Sequence, residues 1–258
     1  MLDKVNQRSW DSRDGVRSLI SDEDLQPPEA HIFQHLLAEE LRDARVLELG
    51  VGTGRVTKHL LELTPNLVGI DYAPNMVAIC KERFPDAEFH EADVRDLAAF
   101  RDGEFDCVVF SYNGLDYISH ADRLAALNEI WLVLKPGGRF VFSTHNLSGA
   151  EFPGPWSLKN IAFTLNPLLL AKRCYAYGRG IFNHLRNRRH QEEGEGYCIG
   201  NDALNYTILT YYISPEAQLA QLEEFNFGDA RLFDLAGTEL QAGEPTDTPW
   251  IYYVTTKQ

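Results

Sequence analysis

The stretch VLELGVGTGRVT, residues 46–57, sets Gly50, Gly52 and Gly54 at alternate positions directly behind a short apolar run. Glycines so spaced let the backbone turn sharply and let a ligand lie against main-chain N–H groups without a Cβ in the way. Two phosphate chemistries fit poorly. Arg55 stands where a dinucleotide fingerprint has its third glycine, and Gly54 is not followed by the Lys and Ser or Thr of a triphosphate-binding loop. A nicotinamide-dependent dehydrogenase is thereby disfavoured. Asp71 closes NLVGID, where a carboxylate can accept from both hydroxyls of a ribose. Asp93 closes AEFHEAD, placed to accept from an exocyclic adenine amine while the Val94 N–H donates to the ring. Plainer alternatives stand beside each: a glycine turn that only joins strand to helix, and helix caps at Asp71 and Asp93. His145 is a candidate general base, because imidazole titrates near neutral pH. Its alternative is a histidine satisfied by a loop carbonyl.

These residues need elements to place them on one rim. PPEAHIFQHLLAEEL has helical apolar spacing behind a Pro-Pro entry, and RVLELG then reads as a strand and RVTKHLLEL as a helix. The alternation continues through strand NLVGID, helix APNMVAICKERF, strand AEFHEAD, helix or turn VRDLAAF, strand FDCVVFSY, helix HADRLAALNEIWLVL and, after the turn KPGG, strand RFVFSTHN. Strands alternating with helices argue for parallel βαβ units in a doubly wound sheet, whose ligands lie beyond the carboxyl ends of the strands. The loops at 50–54, Asp71, Asp93, 111–116 and 145–146 therefore open on one side. After Asn146 the rhythm breaks, and SPEAQLAQLEEF, DARLFDL and PWIYYVTT restore a helix and two strands. The predicted organisation is an N-terminal helical segment, 1–44, over the site; a Rossmann-like domain, 45–146 and 213–258; and an inserted lid or specificity region, 147–212.

A net charge of −14 on 258 residues argues against a broad grip on nucleic-acid phosphates and favours a small-molecule substrate. Cys80, Cys107, Cys174 and Cys198 are dispersed, so they read as free thiols of a cytoplasmic protein, with no metal expected. The polar N-terminus lacks the apolar stretch of a signal peptide, and IAFTLNPLLLA is too short to cross a bilayer.

VLELGVGTGRVT, GIDYAPNMV, EADVRDL, FDCVVFSYNGLDYI and LKPGGRFVFSTHN, in this order and spacing, resemble the class I S-adenosylmethionine-dependent methyltransferases. The resemblance implies a seven-stranded sheet with WIYYVTT antiparallel between its neighbours. It implies S-adenosyl-L-methionine as cofactor and S-adenosyl-L-homocysteine as product. Gly50, Gly52 and Gly54 would pack on the methionine part, Asp71 would take the ribose, and Asp93 with Val94 the adenine. Ser111 would offer its carbonyl to the cofactor's amino group, and Arg55 would pair with its carboxylate unless it is an exposed first-turn arginine. Glu48, Tyr72, Met76 and Asn113 complete the cofactor set. The catalytic set is His145 as base with Tyr112 and Asp116, with Tyr112 and Tyr117 shaping the pocket. SYNG replaces the Asn/Asp-Pro-Pro-Tyr signature of many adenine and glutamine methylases, which again favours a small or medium-sized metabolite, neutral or anionic, methylated at oxygen or nitrogen.

Residues 151–190 carry seven Lys and Arg against the single carboxylate Glu151, with Trp156, Phe163, Tyr175, Tyr177 and Phe182 among them. One reading is a lid in which Trp156 and Arg179, with Tyr206 and Tyr211 of the following strand-like GNDALNYTILTYYIS, bind the acceptor. Another, less favoured, packs the segment on an anionic membrane beside a lipid-linked acceptor. The plain reading is a solvated helix pair. Trp10 could fold over the cofactor. The remaining rival class is a binding protein that keeps the nucleoside pocket without transfer, and the oligomer is expected to be a monomer or homodimer.

Overall fold

A computed structural model of the chain describes Asn6, residues 24–149, Trp156, Thr164, and residues 166–200, 206–241 and 243–258. Trp10, Glu151, Lys159 and Phe163 lie outside the described residues. Helix α1 (Pro27–His31) runs into a π turn (Ile32–Leu36) and α2 (Ala38–Leu41), so the continuous helix expected over this stretch is broken by a wide turn ending at Leu37, φ −111° and ψ 6°. Then follow β1 (Val46–Leu49), α3 (Arg55–Leu63), β2 (Leu67–Asp71), α4 (Pro74–Arg83), β3 (Glu88–Glu91), β4 (Phe105–Phe110), α5 (His120–Val133) and β5 (Leu134–Asn146). The insertion supplies α6 (Pro167–Asn187), β6 (Glu192–Gly194), β7 (Tyr197–Gly200) and β8 (Thr210–Ile213). The chain closes with α7 (Pro215–Glu224), β9 (Phe227–Phe233), β10 (Glu239–Leu240) and β11 (Trp250–Lys257).

Helix starts follow local chemistry. Ser119, Asn166 and Ser214 accept the first orphan N–H groups of α5, α6 and α7, and proline occupies the opening turn of α4, α6 and α7. VRDLAAF forms turns rather than a helix, with Asp93 and Leu97 carbonyls accepting the Asp96 and Phe100 N–H groups.

The central strand order is β10-β9-β11-β5-β4-β1-β2-β3. The strands β3, β2, β1, β4 and β5 are parallel, while β11 is antiparallel to both β5 and β9. The sheet holds eleven strands among the described residues, against the seven expected. The surplus is β10 at one edge and the β6-β7-β8 meander from the insertion. β5 outruns β4 after Phe142, and β8 takes the freed edge, pairing His145 with Tyr212 and Asn146 with Ile213. Across the same residue, β11 pairs Trp250 with His145.

Side chains alternate between two cores. Leu47, Leu49, Val68, Ile70, Val108, Phe110, Phe140 and Tyr253 pack with α5 and α7, whereas Val46, Cys107, Val109, Val141 and Tyr252 pack with α3, Ile32, Phe33 and Leu41. The sheet is thus covered on both faces, as parallel strands require.

Candidate active site

A cavity opens beyond the carboxyl ends of β1, β2 and β4 and is lined by the glycine loop, Glu48, Asp71, Tyr72, Met76, Asp93, Val94, Ser111, Tyr112 and Tyr117. Loop geometry explains the glycines. Gly50 has φ 64° and a Cβ there would stand 2.8 Å from Phe110 Cε2, while Gly54 has φ 84° and a Cβ would meet Phe84. Gly54 caps α3 in the left-handed conformation, so any side chain would be strained as well as crowded.

Asp71 is buried, and its carboxylate accepts the Gly52 N–H at 2.9 Å and the Ala73 N–H at 2.8 Å. It caps the turn into α4 and also fastens the glycine loop. A carboxylate has about four acceptor sites, so this anchored group suits a diol. The neighbouring wall of Ile70, Ala92, Val94 and Ile118 is apolar and suits a flat base. A glycine-rich loop, an anchored acid and an apolar slot in sequence fit a nucleoside carrying an amino-acid tail.

Three of the expected residues have protein partners as well. Asp93 is held by its own neighbour: Oδ1 accepts from the Arg95 N–H and Nε, and Oδ2 from Nη2. An exocyclic amine would share this carboxylate with the guanidinium. Arg55 lines the cavity and is not the exposed first-turn arginine of the alternative, its side chain being 11% exposed. It makes a two-pronged ion pair with Glu29, at 2.5 and 2.7 Å, and its guanidinium lies 4.9 Å from the Tyr112 ring centre. Ser111 also turns its hydroxyl to Glu29.

Glu29 is the residue that periodicity missed. It is fully buried at the start of α1, accepts the Tyr252 hydroxyl at 3.1 Å and closes a capping box with Gln26. The signal was present in QPPE, an acid in the first turn behind two prolines. Glu48 beside it is buried, accepts from Thr57 Oγ1 at 2.6 Å, and has its carboxyl pushed up to about 8 by burial. It therefore holds a proton at neutral pH. Asn6, also missed, donates to the Tyr117 and Leu209 carbonyls at 2.7 and 2.9 Å.

On the opposite side Tyr112 and Asn113 take successive positive φ values, 57° and 61°, a sparsely populated backbone that recurs at functional sites. Asn113 itself is buried off the cavity wall, and its N–H donates to Ser143 Oγ at 2.8 Å. The turn delivers Asp116 under the end of β5. Asp116 Oδ2 accepts the His145 N–H at 2.7 Å and contacts His145 Nδ1 at 2.7 Å, while Oδ1 takes Thr144 Oγ1 and Arg123 Nη1. An ionised carboxylate only accepts, so Nδ1 carries the proton and Nε2 is left as the basic nitrogen. The imidazole side chain keeps 13% exposure, and the rings of Tyr212, Trp250 and Tyr117 stand 5.1, 5.6 and 6.5 Å from it. Tyr112 packs edge-on against Trp250.

Arg123, fully buried, supports this acid from behind. It pairs with Asp116 at 2.8 Å, donates to Gln218 at 2.5 Å, and lies over the Tyr211 ring.

The acceptor set expected from the insertion does not assemble at this rim. Tyr211 is fully buried, stacked on Tyr197 and His120, with burial pushing its phenol up to about 12. Its β8 neighbour Tyr212 faces His145 instead, as the strand's alternation dictates. Tyr206 packs on His184 of α6 and accepts from Asn187 through its carbonyl. Arg179 and Trp156 are exposed.

Residues 46–138 match the family model for a methyltransferase domain. A demethylmenaquinone methyltransferase of Thermus thermophilus is 38% identical over 125 residues, which are 46% of this chain and 52% of that protein. A ubiquinone biosynthesis O-methyltransferase of Xanthomonas euvesicatoria pv. vesicatoria is 32% identical over 118 residues, 44% of this chain and 48% of that protein. The chain thus matches about half the length of these relatives. The fold is shared with the Burkholderia thailandensis 1,6-didemethyltoxoflavin-N1-methyltransferase, solved with 1,6-didemethyltoxoflavin and S-adenosylhomocysteine, at TM-score 0.60 and 16% identity over 98% of this chain and 88% of that one.

Proposed function

We propose that this chain, which carries the methyltransferase domain of the class I S-adenosylmethionine-dependent enzymes over residues 46–138, methylates a hydroxyl group on a small aromatic acceptor of the hydroquinone or phenol type. The observation that carries the reading is the His145–Asp116 pair set among aromatic rings, one of which, Tyr117, lines the cavity. The names of the quinone-methylating relatives support the acceptor class.

When bound, S-adenosylmethionine supplies an electrophilic methyl on a positively charged sulfur. The glycine loop and Asp71 would hold it, and the apolar wall would seat its base. For the chain's own residues the main task is alignment with water excluded. A hydroxyl is a poor nucleophile until its proton is drawn away, and His145 Nε2 is the acceptor for that proton. Asp116 fixes the ring's tautomer and stabilises the imidazolium that forms, while Arg123 keeps Asp116 in place. Tyr212, Trp250 and Tyr117 offer faces and edges against which a flat acceptor stacks.

The test is production of S-adenosylhomocysteine from a panel of hydroquinones, catechols and aromatic amines, run on wild type and His145→Ala. Turnover on the hydroxyl acceptors should fall by about 100-fold or more in the variant, with calorimetric affinity for S-adenosylmethionine unchanged. Wild-type turnover in His145→Ala would remove the base, and transfer confined to amines would remove the acceptor class.

A further inference from the structure

We propose that α6 docks the protein onto an anionic phospholipid surface. The helix is built inside out. Its buried positions are Gly180, Asn183 and Asn187, with Asn187 donating to the Tyr206 carbonyl. Several of its large apolar side chains face solvent: Leu168 is 83% exposed, Tyr175 69%, Phe182 64% and Leu185 44%. A helix that only needed to pack on the domain would present these to the core.

The exposed residues are ordered. Leu168, Tyr175 and Phe182 recur at intervals of seven, two helical turns, and so form one stripe along α6. Four residues after each, on the adjoining face, comes a cation: Lys172, Arg179 and Arg186. None of the three makes an ion pair among the described residues, and with Arg173, Arg188 and Arg189 they put six cations and no carboxylate on residues 166–190 of a chain whose net charge is −14. Solubility does not require a basic island on an acidic protein. An apolar stripe edged with unpaired cations matches a bilayer interface, where acyl chains take the aromatic and leucine side chains and lipid phosphates take the Lys and Arg heads. No helix among the described residues is long and apolar enough to cross a membrane, so the contact is peripheral.

The insertion joins this face to the site. After α6 the chain returns through β6, β7 and β8, and β8 carries Tyr212 to His145. A surface that holds α6 would bring the rim near the bilayer, where an apolar acceptor would partition. The docking stands apart from the acceptor reading, and its test uses neither cofactor nor acceptor.

The full chain is sedimented with vesicles of phosphatidylcholine mixed with phosphatidylglycerol and, separately, of phosphatidylcholine alone, at low and high salt. Binding should be at least about tenfold tighter to the anionic vesicles and should weaken with salt. Tyr175→Ser with Phe182→Ser, and Lys172→Glu with Arg186→Glu, should each lower it at least about tenfold while leaving the melting temperature unchanged, since all four side chains are exposed. A polarity-sensitive label on the exposed thiol of Cys174, in a Cys198→Ser background, should shift to the blue with anionic vesicles. No binding to anionic vesicles, equal binding to both vesicle types, or variants that bind like wild type would overturn the proposal. A dimer that dissociates in the Tyr175/Phe182 variant, without vesicle binding by wild type, would assign the face to a second copy instead.

Discussion

The two sides of the rim are built differently. The cofactor side is local: Gly50 to Gly54 and Asp93 sit in loops that directly follow a strand, Asp71 ends one, and the Asp71 carboxylate accepts from Gly52 and Ala73 close by. The acceptor side is collected from distant segments: Asp116, Arg123, His145, Tyr211, Gln218 and Gln221 meet in one buried network, and Trp250 and Tyr212 flank it through strand pairing. A site made of short loops can be read and altered piece by piece. A site made of a buried polar network stands or falls together.

Arg123→Met puts that contrast to its hardest test. Removing the guanidinium leaves Asp116 buried without its countercharge, and breaking such a pair costs about 3–5 kcal/mol. Denaturant melts should show that loss, together with loss of turnover, because His145 loses its anchor. Asp71→Asn should act on the other side alone. Hydrogen bonds to a charged group contribute roughly 1.5–3 kcal/mol, so affinity for S-adenosylmethionine should fall by about 10-fold to 100-fold while His145 and its partners stay in place. A stability loss as large as that of Arg123→Met would mean that the two sides are one unit.

Glu48 gives a pH-dependent version of the comparison. Its carboxyl lies near 8 in the folded protein against an ordinary 4.5, so folding favours the protonated form. Stability from this group is complete below about 4.5 and is lost as pH rises through about 8. Glu48→Gln keeps an oxygen for Thr57 and cannot ionise, so its melting temperature should hold up better than that of wild type between neutral pH and pH 9, about. Identical pH profiles for the two proteins would mean that Glu48 ionises at its ordinary value.

The sequence was legible where one residue answers to one local cause. The strand-to-helix turn at 50–54, the antiparallel β11 and the place of His145 at the carboxyl end of β5 all follow from periodicity, turn chemistry and strand ends. Glu29 was hidden because its partners Arg55, Ser111 and Tyr252 lie 26, 82 and 223 residues away. The Glu29 partner of Arg55 was hidden for the same reason, since the first turn of a helix says nothing about a buried acid on another one. In the insertion, types were visible but faces were not. Lys172, Tyr175, Arg179, Phe182 and Arg186 of α6 are exposed, and the tyrosines of β8 divide between core and rim according to a register set by pairing with β5.

That division sets the finest test. Tyr211 and Tyr212 are adjacent, but Tyr211 is fully buried with its hydroxyl 2.8 Å from His120 Nδ1 and 3.3 Å from Gln221 Nε2, whereas Tyr212 stands 5.1 Å from the His145 ring. Tyr211→Phe should cost about 1 kcal/mol through those lost hydrogen bonds, with the Michaelis constant for the acceptor unchanged. Tyr212→Ala should do the reverse in function, raising that constant several-fold by removing a stacking face. Because Tyr212 is also nearly buried, Tyr212→Phe serves as its control: it keeps the ring, so it should bind acceptor as wild type does and melt within about 1 kcal/mol of it. If Tyr211→Phe changed acceptor binding while Tyr212→Ala did not, β8 would present its other face to the site, shifted by one residue against β5.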